Sequence, residues 1–304
     1  MKNNYLISVV GATGIGKTAL AIRLAEHFNT EIISSDSRQF FKEMKIGTAV
    51  PSSEELSRVK HHFIQNRSVH QDYNVGAFED DTVNFLRDKF SAFDLFVMVG
   101  GSGLYVDAVL NGLDDFPRVD AEFRTKLLTD LNEHGIGHLQ EQLKKVDPAS
   151  YNRIDIHNKQ RLIRALEIYQ GTGQPFSSFL MNKKKDREFE AIKIGIQADR
   201  QIVYDRINQR VDQMMELGLL EEAERLYPYR ELNALQTVGY KELFDYIDGK
   251  ISLDFAISEI KKNTRRFAKR QGTWFKRDKD IKWFDYEIHD SLIIAHITSL
   301  IQQK

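Results

Sequence analysis

An apolar run, a glycine-rich loop and an amphipathic stretch follow one another near the start of the chain. Tyr5–Val10 is apolar, the loop reads GATGIGKT from Gly11 to Thr18, and Ala19–Phe28 has helical periodicity. Strand, loop and helix in this order predict a phosphate-binding P-loop. Its glycines let backbone N–H groups surround phosphate oxygens, and the positive end of the new helix faces the same anion. The pattern restricts the fold to one in which a strand ends at a phosphate-binding loop. It does not identify the phosphorylated ligand.

Each residue of this loop is a predicted phosphate contact. Lys17 supplies a point charge, and the hydroxyl of Thr18 is of the type that ligates Mg²⁺ in such loops. The predicted contacts are Gly11, Ala12, Thr13, Gly14, Ile15, Gly16, Lys17 and Thr18.

Apolar and amphipathic segments alternate in the first third of the chain, which predicts an α/β fold with a P-loop NTPase-like parallel sheet flanked by helices. The predicted strands are Tyr5–Val10, Glu31–Ser34, Leu95–Val99 and, much later, Ala191–Gln197. The predicted helices are Ala19–Phe28, Phe78–Phe90, Arg124–His134, Gly137–Lys145, Lys159–Tyr169, Gln201–Leu217, Leu219–Leu226, Lys241–Asp248 and Leu253–Arg270. We therefore expect a core formed by residues 1–114 and 191–304, the latter part largely helical, and a helical insertion domain at 115–190.

Composition excludes several classes of site and qualifies the choice of partner. The 304 residues include no cysteine, which rules out disulfides, thiolate zinc sites and a cysteine nucleophile. No apolar run approaches the roughly 20 residues of a membrane span, and a strand so close to the start leaves no room for a signal peptide, so we expect a soluble, cytoplasmic monomer. Net charge is −1, yet Lys261–Arg277 carries many cations and no acid. That segment is either an RNA-binding surface or a solvated helix face.

Two polar turns follow predicted strands, at the end where parallel sheets place their ligands. Asp36 would be a metal-linked carboxylate or a general base there, although an N-cap or turn aspartate is the common alternative. Gly100–Ser102 stands where a P-loop NTPase usually has a Walker-B aspartate. The glycines permit close approach of a ligand and Ser102 offers a hydroxyl, or the segment is a left-handed turn without a ligand. The missing aspartate weighs against ATP hydrolysis.

Three further groups have both a functional and a structural interpretation. Arg206 and Arg210 share a helix face, where one could clamp a diphosphate, but a surface salt bridge to Asp212 or Glu216 is the alternative. Trp274 is either a base-stacking platform or a half-buried anchor. The adjacent pair at positions 61 and 62, both histidines, is not expected to form a metal site, because neighbouring side chains do not face one point.

Eight segments in order resemble one known family. They are GATGIGKT (11–18), SSDSRQ (34–39), IGTAVP (46–51), VGGSGLY (99–105), DPAS…QRLIRALE (147–167), RINQRVDQMMELGLL (206–220), QTVGYKE (236–242) and AKRQGTWFK (268–276). Together they are similar to the bacterial tRNA dimethylallyltransferases, the tRNA isopentenyltransferase family, over residues 6–284. The P-loop alone would also fit a small-molecule or nucleoside kinase.

The resemblance implies an activity and roles for named residues. The family transfers a dimethylallyl group from dimethylallyl diphosphate to N6 of adenosine 37, in tRNAs that read codons beginning with U. By carry-over, Asp36 takes the N6 proton, Ser102 bonds the base or the reacting groups, and Lys17 and Arg210 meet the diphosphate together with Mg²⁺ near Thr18. The implied partners are the tRNA anticodon stem-loop and dimethylallyl diphosphate, with Mg²⁺ as cofactor.

The resemblance also implies tRNA contacts in four regions of the chain. They are Asp36, Ser37, Arg38 and Gln39 with Ser102; Arg124, Gln160, Arg161, Leu162, Ile163 and Arg164; Gln236, Thr237, Val238, Gly239, Tyr240 and Lys241; and Lys269, Arg270, Gln271, Gly272, Thr273, Trp274, Phe275 and Lys276.

Departures from the family pattern are few. Ala12 replaces a usual proline, Ser102 a threonine and Val50 a lysine. The absence of cysteine excludes the zinc finger of eukaryotic relatives. None of these changes removes an implied catalytic group.

Overall fold

A parallel sheet forms the centre of the structure, a computed structural model that describes residues 4–180 and 184–303. Within these residues the sheet has six strands: β1 Tyr5–Gly11, β2 Ile32–Ser34, β3 His61–His62, β4 Leu95–Val99, β5 Glu190–Gln197 and β6 Lys282–Asp285. Their order across the sheet is β3-β2-β4-β1-β5-β6, and every neighbouring pair is parallel. Strand β4 is apolar throughout and β1 is fully buried, as a sheet covered on both faces requires.

Helices connect the strands and make up most of the rest. They are α1 Lys17–His27, α2 Ser53–Arg58, α3 Val75–Lys89, α4 Gly103–Asn111, α5 Ala121–Val146, α6 Pro148–Arg153, α7 Lys159–Thr172, α8 Arg200–Glu216, α9 Leu219–Leu226, α10 Tyr240–Ile247, α11 Leu253–Phe275 and α12 Asp290–Gln302. Along the described residues, none combines the length and apolar composition needed to cross a membrane.

Alternate residues of the central strands supply two cores, one on each face of the sheet. On β1, Ile7 and Val9 belong to the core that includes α1 and α12, whereas Leu6 and Val10 belong to the core that includes α3 and α4. A third core joins α8, α9, α10 and α11 away from the sheet. Such alternation follows from the two-residue period of a strand, so both faces need an apolar cover.

Helix α11 is the common member of these three cores. Ile260 packs in the core away from the sheet, Ala268 in the core beside α1, and Phe275 in the core beside α3. The cation-rich segment of the sequence therefore lies mostly on a helix that also supplies apolar residues to all three cores.

The chain divides into two compact units, Met1–Asn111 with Asp186–Lys304, and Gly112–Lys185. The second unit is helical and has its own core, in which Leu139, Leu143 and Leu166 are buried. The helices predicted on either side of position 135 appear as one element, α5, that is interrupted at Gly135, where φ is 77° and ψ 174°. Gly135 tolerates this conformation because it has no Cβ.

The predicted α/β parallel-sheet fold is confirmed, and the four predicted strands are present. The sequence prediction missed β3 and β6, which contain two and four residues. It also missed α2, α4, α6 and α12. The two histidines of β3 lie on adjacent strand positions, and among the described residues no group of three or more His, Cys, Asp or Glu could hold a metal ion.

Candidate active site

The glycine loop joins β1 to α1 in the geometry of a phosphate cradle. Gly16 caps α1 with φ 104°, a left-handed conformation that a side chain would strain. At Gly11 an added Cβ would lie 2.5 Å from the carbonyl oxygen of Ile196 on β5, so only glycine allows the two strands to run this close. Thr13, Lys17 and Thr18 line a cavity of about 460 Å³. The loop therefore presents its cation and its hydroxyls to a space that can hold a ligand.

The ammonium group of Lys17 is held by the backbone of the same loop. Its Nζ donates to the carbonyl oxygen of Ala12 at 2.8 Å. Burial lowers the pKa of Lys17 to about 8; nearby Asp36 acts in the opposite direction, and Arg210 lowers the pKa further. An anion bound in the loop would favour the charged form and raise that pKa again. We therefore expect Lys17 to be fully protonated when a diphosphate is bound.

Arg210 reaches the same cavity from α8. Its guanidinium donates to the Thr13 hydroxyl and to the Ala49 carbonyl, both at 3.4 Å, and burial lowers the pKa of its guanidinium. Arg206 instead lies over the ring of Tyr286, 5.5 Å from its centroid. Among the described residues, Arg206 forms a salt bridge with neither Asp212 nor Glu216, the alternative expected from the sequence; Asp212 instead pairs with Lys261 at 2.6 Å. Of the two arginines, Arg210 is the one that lines the cavity.

Asp36 has the predicted turn role and also lines the cavity, while its role as a general base stays a prediction. Its Oδ1 accepts a hydrogen bond from the backbone N–H of Arg38 at 3.1 Å, which is the turn role. The same carboxylate lines the cavity and acts electrostatically on Lys17 and Arg210. One oxygen thus fixes the turn, and the carboxylate faces a site that contains two cations.

Ser102 connects the glycine turn to the Asp36 loop. Its hydroxyl donates to the Ser37 hydroxyl at 3.1 Å and accepts from the Ser37 N–H at 3.0 Å. An added Cβ at Gly100 would lie 2.2 Å from the hydroxyl of Ser35, so the glycine serves close approach of the two loops. The alternative of a left-handed turn is wrong, because neither Gly100 nor Gly101 has a positive φ.

Two neighbours of Asp36 shape the wall of the cavity. Arg38 donates from Nη1 to the carbonyls of Asn233 and Ala234 at 3.1 and 3.0 Å. Gln39 donates from Nε2 to the carbonyls of Thr48 and Ala49 at 3.2 and 3.1 Å. Both side chains line the cavity and bind the backbone of other segments, so they hold that wall in place.

The predicted contact segment at 236–241 is divided between the cavity and the interior. Thr237, Val238 and Gly239 line the cavity. Gln236 is exposed and donates to the carbonyl of Arg230 at 2.6 Å. Tyr240 is fully buried, and its hydroxyl donates to Glu222 at 2.7 Å, so its side chain is not available to RNA; Lys241 is exposed.

The segment at 269–276 shows the same division along α11. Arg270, Gln271 and Trp274 line the cavity, and Trp274 donates from Nε1 to Asp107 at 2.9 Å. Trp274 is half-buried, so it is an anchor with one side on the cavity. Phe275 is buried, which leaves its side chain no access to RNA. The exposed members are Lys269, Arg270, Thr273 and Lys276, and Gly272 is half-buried.

The predicted contacts in the helical unit form a polar cluster above its core. Arg124 donates to Gln160 at 2.7 Å and to Glu167 at 3.3 Å, and Arg164 donates to Glu167 at 3.2 Å. Arg161 is exposed. The remaining two predicted contacts of this stretch, Leu162 and Ile163, are fully buried in the unit's own core and present no side chain to a partner.

Sequence reasoning missed the roles of two buried polar residues. Glu222 is 3% exposed and accepts hydrogen bonds from the backbone N–H groups of residues 45–47. Gln271 is 5% exposed and bonds to the P-loop and the glycine turn. Glu222 shares its helix face with Leu219, Ala223 and Leu226, and an acid on an apolar face is the signal that could have revealed it.

The chain matches one family of known proteins. A family model described as IPP transferase matches residues 39–278. A tRNA dimethylallyltransferase of Christiangramia forsetii is 58% identical, with 98% of this chain and 99% of the relative covered. One of Flavobacterium johnsoniae is 56% identical, with 99% of each chain covered.

Two solved structures share the fold. A full-length tRNA isopentenylpyrophosphate transferase of Bacillus halodurans is 37% identical with a TM-score of 0.72, and the match covers 99% of this chain and 96% of the other. A eukaryotic dimethylallyltransferase acting on tRNA is 27% identical with a TM-score of 0.81, covering 99% and 80%. These relatives are transferases, which favours that hypothesis over a kinase.

Proposed function

Because this chain belongs to the IPP transferase family, we propose that it transfers a dimethylallyl group from dimethylallyl diphosphate to N6 of adenosine 37 in tRNAs that read codons beginning with U, giving N6-dimethylallyladenosine and diphosphate. The observation that carries the proposal is the cavity that joins a P-loop, the Asp36 carboxylate, the Ser102 turn and Arg210. A glycine turn occupies the end of β4, where an ATP-hydrolysing P-loop protein usually has an aspartate.

The chemistry assigns one task to each group on the cavity wall. The N6 lone pair of adenine forms a bond to the allylic C1, while the C1–O bond breaks and its electron pair leaves with the diphosphate. Asp36 accepts the proton that N6 loses. The charge that develops on the leaving group is stabilised by the P-loop N–H groups, Lys17 and Arg210. Ser102 holds the Asp36 loop through Ser37 and orients the acceptor base.

The residues at the P-loop fit a Mg²⁺ ion held together with a diphosphate. Thr18 lines the cavity, so its hydroxyl lies where a ligand bound in the loop can reach it. The described chain offers no cluster of three or more His, Cys, Asp or Glu, so most ligands would be phosphate oxygens and water, as Mg²⁺ commonly prefers. When bound, Mg²⁺ neutralises part of the leaving group's charge.

The acceptor nucleotide must leave the base stack of the anticodon loop to reach this cavity, so the proposal includes base flipping. Support comes from α11, where Arg270 and Trp274 line the cavity and Lys269 is exposed beside them. Arg124, Gln160, Arg161 and Arg164 of the helical unit stay predicted tRNA contacts. A cytoplasmic location and a monomeric state also stay predictions.

A transfer assay with Asp36→Asn tests the proposal. The substrates are an anticodon stem-loop containing A36, A37 and A38 and labelled dimethylallyl diphosphate. We expect the wild type to label the RNA, and Asp36→Asn to lower kcat about 100- to 10,000-fold, because the variant keeps the turn acceptor but not the base. Asp72→Asn, an exposed aspartate, is the matched control. A wild type without transfer, or full activity in Asp36→Asn, would contradict the assignment; ADP formation from ATP would favour the kinase instead.

A further inference from the structure

A single buried amide connects the P-loop to the glycine turn. Gln271 of α11 accepts the backbone N–H of Thr13 on Oε1 at 2.9 Å and donates from Nε2 to the carbonyl oxygen of Gly101 at 2.8 Å. The side chain is 5% exposed. A flipped amide would set a donor against the Thr13 N–H and an acceptor against the Gly101 carbonyl, so only one orientation satisfies both partners. The bond to Gly101 is buried, so loss of its donor would leave that carbonyl oxygen without a partner.

The two ends of this amide belong to opposite sides of the proposed reaction. Thr13 lies in the proposed diphosphate loop, and its hydroxyl accepts a hydrogen bond from Arg210. Gly101 precedes Ser102, whose hydroxyl bonds to Ser37 next to the proposed base. A side chain at Gly101 would remove this connection, because its Cβ would lie 2.1 Å from Nε2 of Gln271.

Gln271 also connects both loops to the helix that faces RNA. Arg270 immediately precedes it on α11, Trp274 follows one turn later, and both line the same cavity. Trp274 packs against the start of α4, since a Cβ at Gly103 would lie 2.3 Å from its ring. The donor loop, the acceptor turn and the RNA-facing helix therefore meet at one side chain.

We propose that Gln271 is a positioning residue that couples occupancy of the diphosphate loop to binding of the RNA acceptor. This inference rests on the proposed function. Gln271 touches neither reacting atom; it fixes the distance between the loop that holds the donor and the turn that orients the acceptor. A diphosphate that orders Thr13 thereby orders Gly101 and Ser102, so RNA binds a site that is already arranged. By reciprocity, RNA strengthens diphosphate binding by the same factor.

The test compares two substitutions that remove different parts of the bridge. Gln271→Met keeps the length of the side chain and removes both hydrogen bonds. Gln271→Glu keeps an acceptor for Thr13 but sets an oxygen against the Gly101 carbonyl. Gln213→Met replaces an exposed helical glutamine and is the matched control. Inorganic pyrophosphate is titrated into each protein by calorimetry, with and without the stem-loop, and kcat, the donor KM and Tm are measured separately.

In the wild type we expect pyrophosphate to bind at least fivefold more tightly when the stem-loop is present, within the usual range of coupling between sites. Both Gln271 variants should bring that factor close to one and lower kcat about tenfold or more, whereas Gln213→Met should change neither. If Gln271→Met does not fold, Gln271→Glu decides. A wild type in which the two ligands bind independently, or a folded variant that keeps the wild-type factor while only Tm falls, overturns the proposal.

Failure of the proposed function would look different. In that case pyrophosphate and the stem-loop bind with measurable coupling, yet no dimethylallyl label reaches the RNA. The coupling factor of the Gln271 variants then still decides the role of the amide, because it requires binding alone.

Discussion

Two turns of this molecule are rich in backbone N–H groups, and they differ in what lies opposite them: the chain's own carboxylate in one, a cavity in the other. The turn at 45–47 receives an internal carboxylate: the N–H groups of Lys45, Ile46 and Gly47 donate to Glu222 at 2.9–3.1 Å. The P-loop is flanked by Lys17 and contacts a cavity. A backbone concavity filled by the chain's own acid is an anchor, whereas one that is flanked by cations and left to solvent is a ligand site.

The turn at 45–47, filled by Glu222, is connected to the open P-loop site through the residues that follow it. Thr48 and Ala49 come directly after the anchored residues, and their carbonyls accept hydrogen bonds from Gln39 and Arg210. Ala49 has φ 49°, a left-handed conformation that costs a residue with a Cβ about 1 kcal/mol or more. Glu222 therefore holds a strained segment in the position where it orients the arginine of the ligand site.

Lys17→Ala removes the cation of the open turn and should have the largest effect. We expect kcat/KM for transfer to fall about 100- to 1,000-fold, because the lost charge faces the leaving group. Stability should stay equal or rise, since burial lowers the pKa of Lys17 and thus shows that its charge is costly to bury. Transfer assays and thermal unfolding check both parts, with exposed Lys279→Ala as the control. Activity within threefold of wild type would contradict the interpretation of the P-loop as the ligand-binding turn.

Glu222→Gln removes the carboxylate from the turn at 45–47, and we expect its main effect on stability. The amide sets N–H groups against backbone N–H groups at a site 3% exposed, so we expect the free energy of unfolding to fall by about 2–3 kcal/mol. In a chain of this length that corresponds to about 5 °C in Tm. Thermal unfolding measures the change, with exposed Glu224→Gln as the control. Equal Tm values for the two variants would show that the turn does not need the carboxylate.

The pH dependence of diphosphate binding tests the role of Lys17 in a second way. The pKa of Lys17 is about 8 in the free protein, and a bound anion raises it, so binding between those two pKa values takes up a proton. Affinity for dimethylallyl diphosphate is then complete below pH 8 and falls up to about tenfold per pH unit above it. Calorimetry at pH 8.5 in two buffers of different ionisation enthalpy measures the uptake.

Lys17→Arg is the control for that experiment, because an arginine does not titrate in this range. Any proton uptake that persists in Lys17→Arg belongs to the ligand or to another group. Equal uptake in both proteins would mean that Lys17 is already fully protonated before the anion arrives.

The smallest effect is expected at the exposed cations of α11, the proposed contacts with RNA. Lys269→Ala and Arg270→Ala should each weaken stem-loop binding a few-fold and reduce the slope of log K against log salt by about 0.7, the value for one phosphate contact on a single strand. Filter binding at several salt concentrations measures the slope. Lys279→Ala should leave it unchanged, and a slope unaltered in all three variants would assign Lys269 and Arg270 to structure.

Local sequence patterns were sufficient where the structure is local. The P-loop and the four predicted strands were found because their apolar runs are long and their flanking turns distinct. Strand β3, with two residues, and β6, which reads KWFD, lack such a run. Both exist because neighbours β2 and β5 offer open edges to pair with. Pairing across a sheet depends on the tertiary fold and leaves little trace in short segments.

The predicted site followed the same division. Lys17, Asp36, Ser102 and Arg210 could be named from motifs, and the structure brings all four to one cavity. The hydrogen bonds of Gln271 join residues far apart in the chain. They could not be predicted, because a helical pattern shows only which face of the helix is apolar. Buried positions such as Tyr240 were predicted as RNA contacts because a motif marks a segment and does not distinguish its two faces.

The membership of α11 in three cores limits how this enzyme can close on its substrate. A helix that supplies Ile260, Ala268 and Phe275 to three separate cores cannot swing without disturbing each of them. Its cavity-facing residues therefore act as a rigid template and not as a lid. The proposed base flipping then gains nothing from movement of α11, so loop sequences that unstack easily should be modified faster than stiff ones of equal affinity.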